Sequence, residues 1–144
     1  MKILYTKETT SPVYSDALKI RKQVFIEEQG VPENIEIDQY EDKCFHLVLY
    51  SDKNEAVATC RLLPLDNKIL KLQRMAVEKA SRGKDYGRVL IIEAENLAIE
   101  LGYNKITLGA QVSALGFYEK LGYTKQGELF VEANIEHSQM DKSL

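Results

Sequence analysis

Apolar positions recur along the chain in two rhythms. From Pro12 to about Glu28, Val13, Ala17, Ile20 and Val24 stand at helical spacing, flanked by Leu18 and Phe25. This predicts an amphipathic helix with one buried stripe. Ser11 and Pro12 supply an N-cap and a preferred first helical residue. Gln29-Gly30 closes the helix, and Pro32 prevents its continuation. A second helix is expected from about Tyr86 to Leu101, where Leu90, Ala94, Leu97 and Leu101 repeat the spacing before a capping Gly102. A short third one is expected over Ser113–Leu121, ahead of Gly122. The other rhythm belongs to strands: Lys2–Tyr5, Phe45–Tyr50, Ala56–Leu63, Ile69–Val77, Lys105–Ala110, a run from Tyr123, and Asn134–Met140. Turns at Ser51–Asn54 and Pro64–Asn67 make the middle three an antiparallel meander. The helix between the 69–77 and 105–110 strands makes that pair parallel. The order β-α-β-β-β-α-β-α-β-β predicts one α/β (α+β) domain over residues 1–144. Its mixed, mostly antiparallel sheet carries helices on both faces.

Length and charge narrow the functions open to such a domain. The 144 residues suit a single core. A net charge of −3 argues against nucleic acid as a partner. No apolar run reaches the roughly 18 residues of a membrane span. Met1–Tyr5 lacks the apolar region of a secretion signal, so a cytoplasmic location is expected. Cys44 and Cys60 show no metal-ligand spacing, and no metal is expected. They read as buried reduced thiols, although Cys44 and His46 could share a strand face as a nucleophilic pair.

Against that mild acidity, Arg82, Lys84 and Arg88 fall within one short turn that also holds Gly83 and Gly87. The turn joins a strand to a helix. Free N–H groups and the positive dipole end of a first helical turn favour an anion, and glycine lets the backbone approach it. Neither a Walker loop nor a dinucleotide fingerprint is present. Residues 31–43 are acidic instead: Glu33, Glu36, Asp38, Glu41 and Asp42. They form either a solvated loop, with Ile35 and Ile37 pinning it to the core, or an acidic pocket wall that attracts a cationic amine.

Phe117-Tyr118-Glu119-Lys120-Leu121-Gly122-Tyr123, taken with Met75-Ala76-Val77 and Arg82-Gly83-x-x-x-Gly87, resembles the GNAT superfamily of acyl-CoA-dependent N-acetyltransferases. Val24-Phe25, Glu28-Gln29, Pro32, Asp38, His46, Ala110-Gln111 and, in part, Ile135-x-His137 are similar to its ElaA-like or YjcF-like branch. The resemblance implies acetyl-CoA as cosubstrate and a primary amine of a small molecule or peptide as acceptor. It implies that Arg82, Gly83, Lys84, Asp85, Tyr86, Gly87 and Arg88 hold the pyrophosphate. Met75, Ala76 and Val77 would pair with the pantetheine arm, with the Val77 N–H polarising the thioester carbonyl, and Gln111 and Phe117 would also contact the cofactor. Tyr118 takes the role of general acid. For the base, Glu28 and His137 rank ahead of Asp38 and Glu132; Gln29 and Asp38 would contact the acceptor. Three positions depart from the pattern: Asp85 stands where the family usually has glycine, Gln111 where it often has asparagine although glutamine is usual in the branch, and Gly109 where the branch tends to carry a larger polar residue. A homodimer through a sheet edge is compatible with the fold by resemblance. A non-catalytic acyl-CoA-binding sensor or scaffold is the alternative.

Overall fold

The computed structural model describes residues 1–144. Its strands are β1 (Lys2–Thr6), β2 (Phe45–Tyr50), β3 (Ala56–Pro64), β4 (Ile69–Val77), β5 (Lys105–Gln111), β6 (Thr124–Glu132) and β7 (Ile135–Ser143). They form one sheet in the order β1-β2-β3-β4-β5-β7-β6. Every neighbouring pair is antiparallel except β4–β5, which runs parallel from Ile69 opposite Lys105 to Leu72 opposite Leu108. The expected fold class and parallel crossover are both present. The order of elements could not show that the last hairpin returns inside itself, placing β7 against β5 and leaving β6 at the edge. Ala133 and Asn134 make that return, at φ 50° and 63°, the left-handed pair that a two-residue hairpin turn requires.

Alternate residues serve opposite faces of the sheet. Leu47, Leu49, Leu70, Leu72, Ile106 and Leu108 pack with Leu90, Ala94 and Leu97 of α3 (Tyr86–Glu100), and Tyr118 of α4 (Leu115–Lys120) joins that core. On the other face Val48 and Tyr50 meet Ala17 and Ile20 of α1 (Pro12–Arg21), together with Val24 beyond it. Leu101, expected on the buried stripe of α3, is 43% exposed because the helix ends one residue earlier and Leu101 caps it.

The first helix begins as expected. The Ser11 hydroxyl accepts the Val13 N–H at 3.1 Å, with Pro12 following. After Arg21 the coil widens into a π-helical stretch over Lys22–Glu28, and Gln29 N–H bonds back to Val24 O, five residues earlier. The wider turn breaks the regular stripe and sets Glu28 and Gln29 against the sheet's open half.

Helix α1 also buries two residues outside the expected stripe, Tyr14 and Arg21. Arg21 belongs to a network that takes Glu36, Asp38 and Glu41 out of both readings of residues 31–43 and leaves only Glu33 and Asp42 solvated. Glu36, in the short α2 (Glu33–Glu36), and Glu41 are buried, whereas Ile35 is 50% exposed and pins nothing. The Arg21 guanidinium donates to the Glu36 carboxylate at 2.7 Å and to both oxygens of Glu41 at 2.7 and 3.0 Å. Arg61 donates to Glu41 at 2.7 Å and to both oxygens of Asp38 at 2.9 and 2.8 Å. Arg74 completes the set, 3.0 Å from the Glu36 carboxylate and 3.2 Å from Asp38. Three guanidinium groups thus face three carboxylates beneath the loop. Glu36, Asp38 and Glu41 are neutralised by arginines, so that Glu36, the one of them lining the cavity, presents no free charge there.

Cys44, Cys60 and His46 are buried. Burial pushes the two thiols up to about 11 and about 12, which leaves them inert at neutral pH. His46 bonds through Nε2 to the Glu41 carbonyl at 2.7 Å and meets the Tyr14 ring edge-on. It serves the network rather than a nucleophile.

Candidate active site

The site opens where the sheet divides. Between the pairs Thr59–Ala76 and Arg61–Gln73, the single residue Cys60 on β3 faces Arg74 and Met75 on β4. This is a β-bulge, and it bends β4. Arg74 takes the extra place with φ 55°, a conformation that costs an ordinary residue about 1–2 kcal/mol. Its guanidinium offsets that cost by holding the Ile35 and Glu36 carbonyls at 3.1 and 3.2 Å as well as the carboxylates named above. Past Leu72 and Leu108 the two parallel strands no longer pair, although each continues. The gap between them is the mouth of a cavity of about 580 Å3.

One side of the cavity is the basic turn. Gly83 has φ 81° and Asp85 φ 67°. The departure at Asp85 therefore has a conformational answer: aspartate is among the few residues that tolerate the left-handed region glycine usually supplies. Its carboxylate lies 3.3 Å from Arg88. The first bond at this end of α3 runs from Val89 N–H to Asp85 O, at 3.2 Å. The N–H groups of Tyr86, Gly87 and Arg88 are thus left free for a ligand. A Cβ on Gly87 would sit 3.3 Å from Met75 Cε and 3.4 Å from Phe117 Cζ, so this cradle is shaped for a residue without a side chain.

The strand before the turn contributes its end. Glu78 N–H donates to Val57 O at 2.9 Å. The preceding N–H, on Val77, therefore points the other way, into the gap. The Val77 carbonyl accepts from Arg82 Nε at 3.0 Å. The rest of the Arg82 guanidinium grips Glu28 in a two-point bond, at 2.8 and 2.9 Å. That bond, more than any other influence, holds the Glu28 carboxyl below its ordinary value.

Tyr118 stands at the inner end, 7% exposed, edge-on to Phe117 and Tyr123. Burial pushes its phenol well above the ordinary value, with no hydrogen bond contributing. The Tyr123 hydroxyl, by contrast, donates to Glu95 at 2.8 Å. Opposite the cradle, Gln111 pairs in register with His137 across β5 and β7. His137 Nδ1 lies 2.7 Å from the Ile135 carbonyl. A carbonyl can only accept, so Nδ1 carries a proton, and Nε2 is the ring nitrogen without a partner in the chain. Phe130 stacks on His137, 5.6 Å between centroids, and lies over Gly109.

Of the residues singled out in the sequence, Met75, Ala76, Val77, Arg82, Gly83, Asp85, Tyr86, Gly87, Arg88, Gln111, Phe117, Tyr118, Glu28, Gln29 and His137 line this one cavity. Two do not. Lys84 is exposed outside it. Asp38 lies below it as a counter-ion, held at about 2: burial works to raise it, but the bonds from Arg61 and the charges around it prevail. Arg74 and Lys71 line the cavity without having been singled out for the site, and Glu36, named as part of a possible pocket wall, lines it too. Lys71 was legible, since alternation with the core residues Leu70 and Leu72 puts it on the open face. For Arg74 no local signal existed, because a bulge depends on the partner strand.

The sequence profile of the family described as Acetyltransferase (GNAT) domain matches residues 8–144. The uncharacterized N-acetyltransferase YjcF of Bacillus subtilis is 37% identical over 128 residues, 88% of this chain and 90% of its own. A crystal structure of a candidate N-acetyltransferase from Lactobacillus plantarum superposes with a TM-score of 0.91 at 30% identity, covering 99% of this chain and 97% of that one. Escherichia coli ElaA superposes at 0.86 with 24% identity, covering 99% of each chain.

Proposed function

The chain belongs to the GNAT acetyltransferase family, in its ElaA-like and YjcF-like branch, and from this we propose that it transfers the acetyl group of acetyl-CoA directly to a primary amine of a small molecule or peptide in a ternary complex. The observation that carries the reading is one cavity joining a free N–H cradle, a splayed strand end and an unpaired phenol. The residues present fit the cosubstrate: the free N–H groups of Tyr86, Gly87 and Arg88 at the start of α3 suit a pyrophosphate. When bound, acetyl-CoA supplies an activated acyl thioester.

The chain does the rest. The Tyr86, Gly87 and Arg88 N–H groups hold the anion, and Arg82 and Arg88 border it while keeping their bonds to Glu28 and Asp85. The Val77 N–H faces the gap and polarises the carbonyl. Tyr118 donates a hydrogen bond, and finally its proton, to the leaving sulfur. Gln29 and Gln111 orient acceptor and cofactor amides.

For the base, the geometry favours His137 over Glu28. The Nε2 lone pair of His137 is available, whereas Glu28 is engaged by Arg82 and its lowered pKa makes it a weak proton acceptor. His137→Gln is expected to lower kcat/KM about tenfold or more with acetyl-CoA affinity unchanged, whereas Glu28→Gln is expected to leave the chemical step within a few-fold. Steady-state kinetics and calorimetry on both variants decide between them.

The alternative of a non-catalytic acyl-CoA-binding module rested on Asp85, whose backbone meets the need that glycine usually meets. Gly87→Val is expected to weaken acetyl-CoA binding about tenfold or more, equivalent to about 1.4 kcal/mol, by pushing Met75 and Phe117 out of place on the cavity wall beside the cradle. Calorimetry on folded variant protein checks this, and wild-type affinity would count against the cradle.

A further inference from the structure

Eight charged side chains line the cavity: Glu28, Glu36, Lys71, Arg74, Arg82, Asp85, Arg88 and Glu132. Six neutralise one another in pairs: Glu28 with Arg82 at 2.8 Å, Glu36 with Arg74 at 3.0 Å, and Asp85 with Arg88 at 3.3 Å. One cation and one anion remain, Lys71 and Glu132, each without an ion pair in the chain.

Both stand on the acceptor half of the sheet, on the face away from α3. Leu70, Leu72, Leu108 and Ala110 point into the α3 core, so Lys71 and Gly109 between them point the opposite way. Lys71 sits opposite Thr107 on β5, and Gly109 follows two residues later on the same face. From the other side, a carboxylate oxygen of Glu132 lies 3.9 Å from where a Gly109 Cβ would stand. Glycine at 109 puts no side chain of its own between the two charges, and the Phe130 ring, 3.1 Å from that Cβ position, covers the backbone there.

We infer that the acceptor is a small amine that also carries a carboxylate, its amine drawn to Glu132 and its carboxylate held by Lys71. This rests on the acetyltransferase reading and specifies its substrate class. An unpaired charge of each sign favours a ligand with complementary charges of both signs, and disfavours a diamine, whose second cation would meet Lys71. The amine arrives as an ammonium beside Glu132. It loses one proton to the base, attacks the thioester carbon and forms the amide bond as the carbon–sulfur bond breaks; the thiolate takes the phenol proton of Tyr118, and the second proton leaving the nitrogen restores that phenol.

The test follows thiol release from acetyl-CoA with amino acids of graded chain length, their carboxamides and matched diamines. The same panel is titrated calorimetrically into CoA-loaded protein. The amino acids are expected to surpass their carboxamides and the diamines in kcat/KM and in affinity. Lys71→Met, which keeps the aliphatic stem, is expected to raise KM for the amino acids about 10- to 100-fold with kcat little changed, the loss of one charge-assisted bond. It should leave KM for the carboxamides where it was. Lys71→Glu is expected to shift preference to diamines. Carboxamides or diamines that match the amino acids, or a Lys71→Met variant with wild-type KM, overturn the inference while acetyl transfer stands. Acetyl-CoA that does not bind at all overturns the parent reading and this one with it.

Discussion

Tyr118→Phe is expected to lower kcat about a hundredfold or more while leaving acetyl-CoA affinity within about twofold. The ring, not the hydroxyl, fills the core beside Phe117 and Tyr123, so phenylalanine keeps the packing. The hydroxyl has no hydrogen bond to hold it elsewhere, and burial keeps it protonated through any working pH. A free phenol, near pKa 10, is a weaker acid than a thiol near 8.5, and burial weakens it further. The contribution proposed for it is therefore a hydrogen bond that strengthens as charge grows on sulfur, followed by proton transfer to the thiolate. Single-turnover and steady-state thiol release, set against calorimetric affinity, separate this role from a packing role. Wild-type kcat in the variant would exclude the hydroxyl from catalysis.

The largest structural effect is expected from the buried network. Glu41 accepts from Arg21 and Tyr14 on one oxygen, and from Arg21, Arg61 and the Asp38 N–H on the other. Glu41→Gln leaves two buried guanidinium groups short of a counter-charge and is expected to cost about 3–5 kcal/mol. That is a large share of the roughly 5–15 kcal/mol that holds a domain together. Denaturant midpoints of the folded variant measure the loss, and an unchanged midpoint would show that the network contributes little.

The network also sets a pH dependence. Glu41 is held below its ordinary value, since burial would raise it but the bonds and charge of Arg21 prevail. Asp38 is held at about 2. Carboxyl groups depressed in the folded state add stability above their unfolded values, near 4, and lose it as pH falls towards the folded ones. Glu36 acts in the opposite sense, because burial outweighs its arginine partners and raises it.

Much of this architecture was legible. The helical stripe of Ala17, Ile20 and Val24 and the alternation through β2 to β4 reflect a periodicity that burial imposes directly on sequence. The turn of Arg82 to Arg88 was legible for a different reason: a free helix end needs only local residues. What stayed hidden depends on partners far along the chain. Arg21 looked like the polar side of a helix, and Glu36 and Glu41 like a solvated loop, because charge pairing across 15 to 20 residues leaves no periodic trace. The π-helical turn before Gln29, the bulge at Arg74 and the insertion of β7 beside β5 are likewise set by contacts between elements. Asp38 illustrates the consequence for the site. Its acidity suggested an amine contact, whereas two arginines already claim it.

The cavity's proposed occupant is tested most directly by titrating acetyl-CoA into the wild-type protein and its Gly87→Val variant, with thiol release followed in the same solution after amines are added. A single saturable site in the wild type, lost or weakened about tenfold in the variant, with thiol released only when an amine is present, is the expected result. Absence of acetyl-CoA and CoA binding by folded wild-type protein would contradict it.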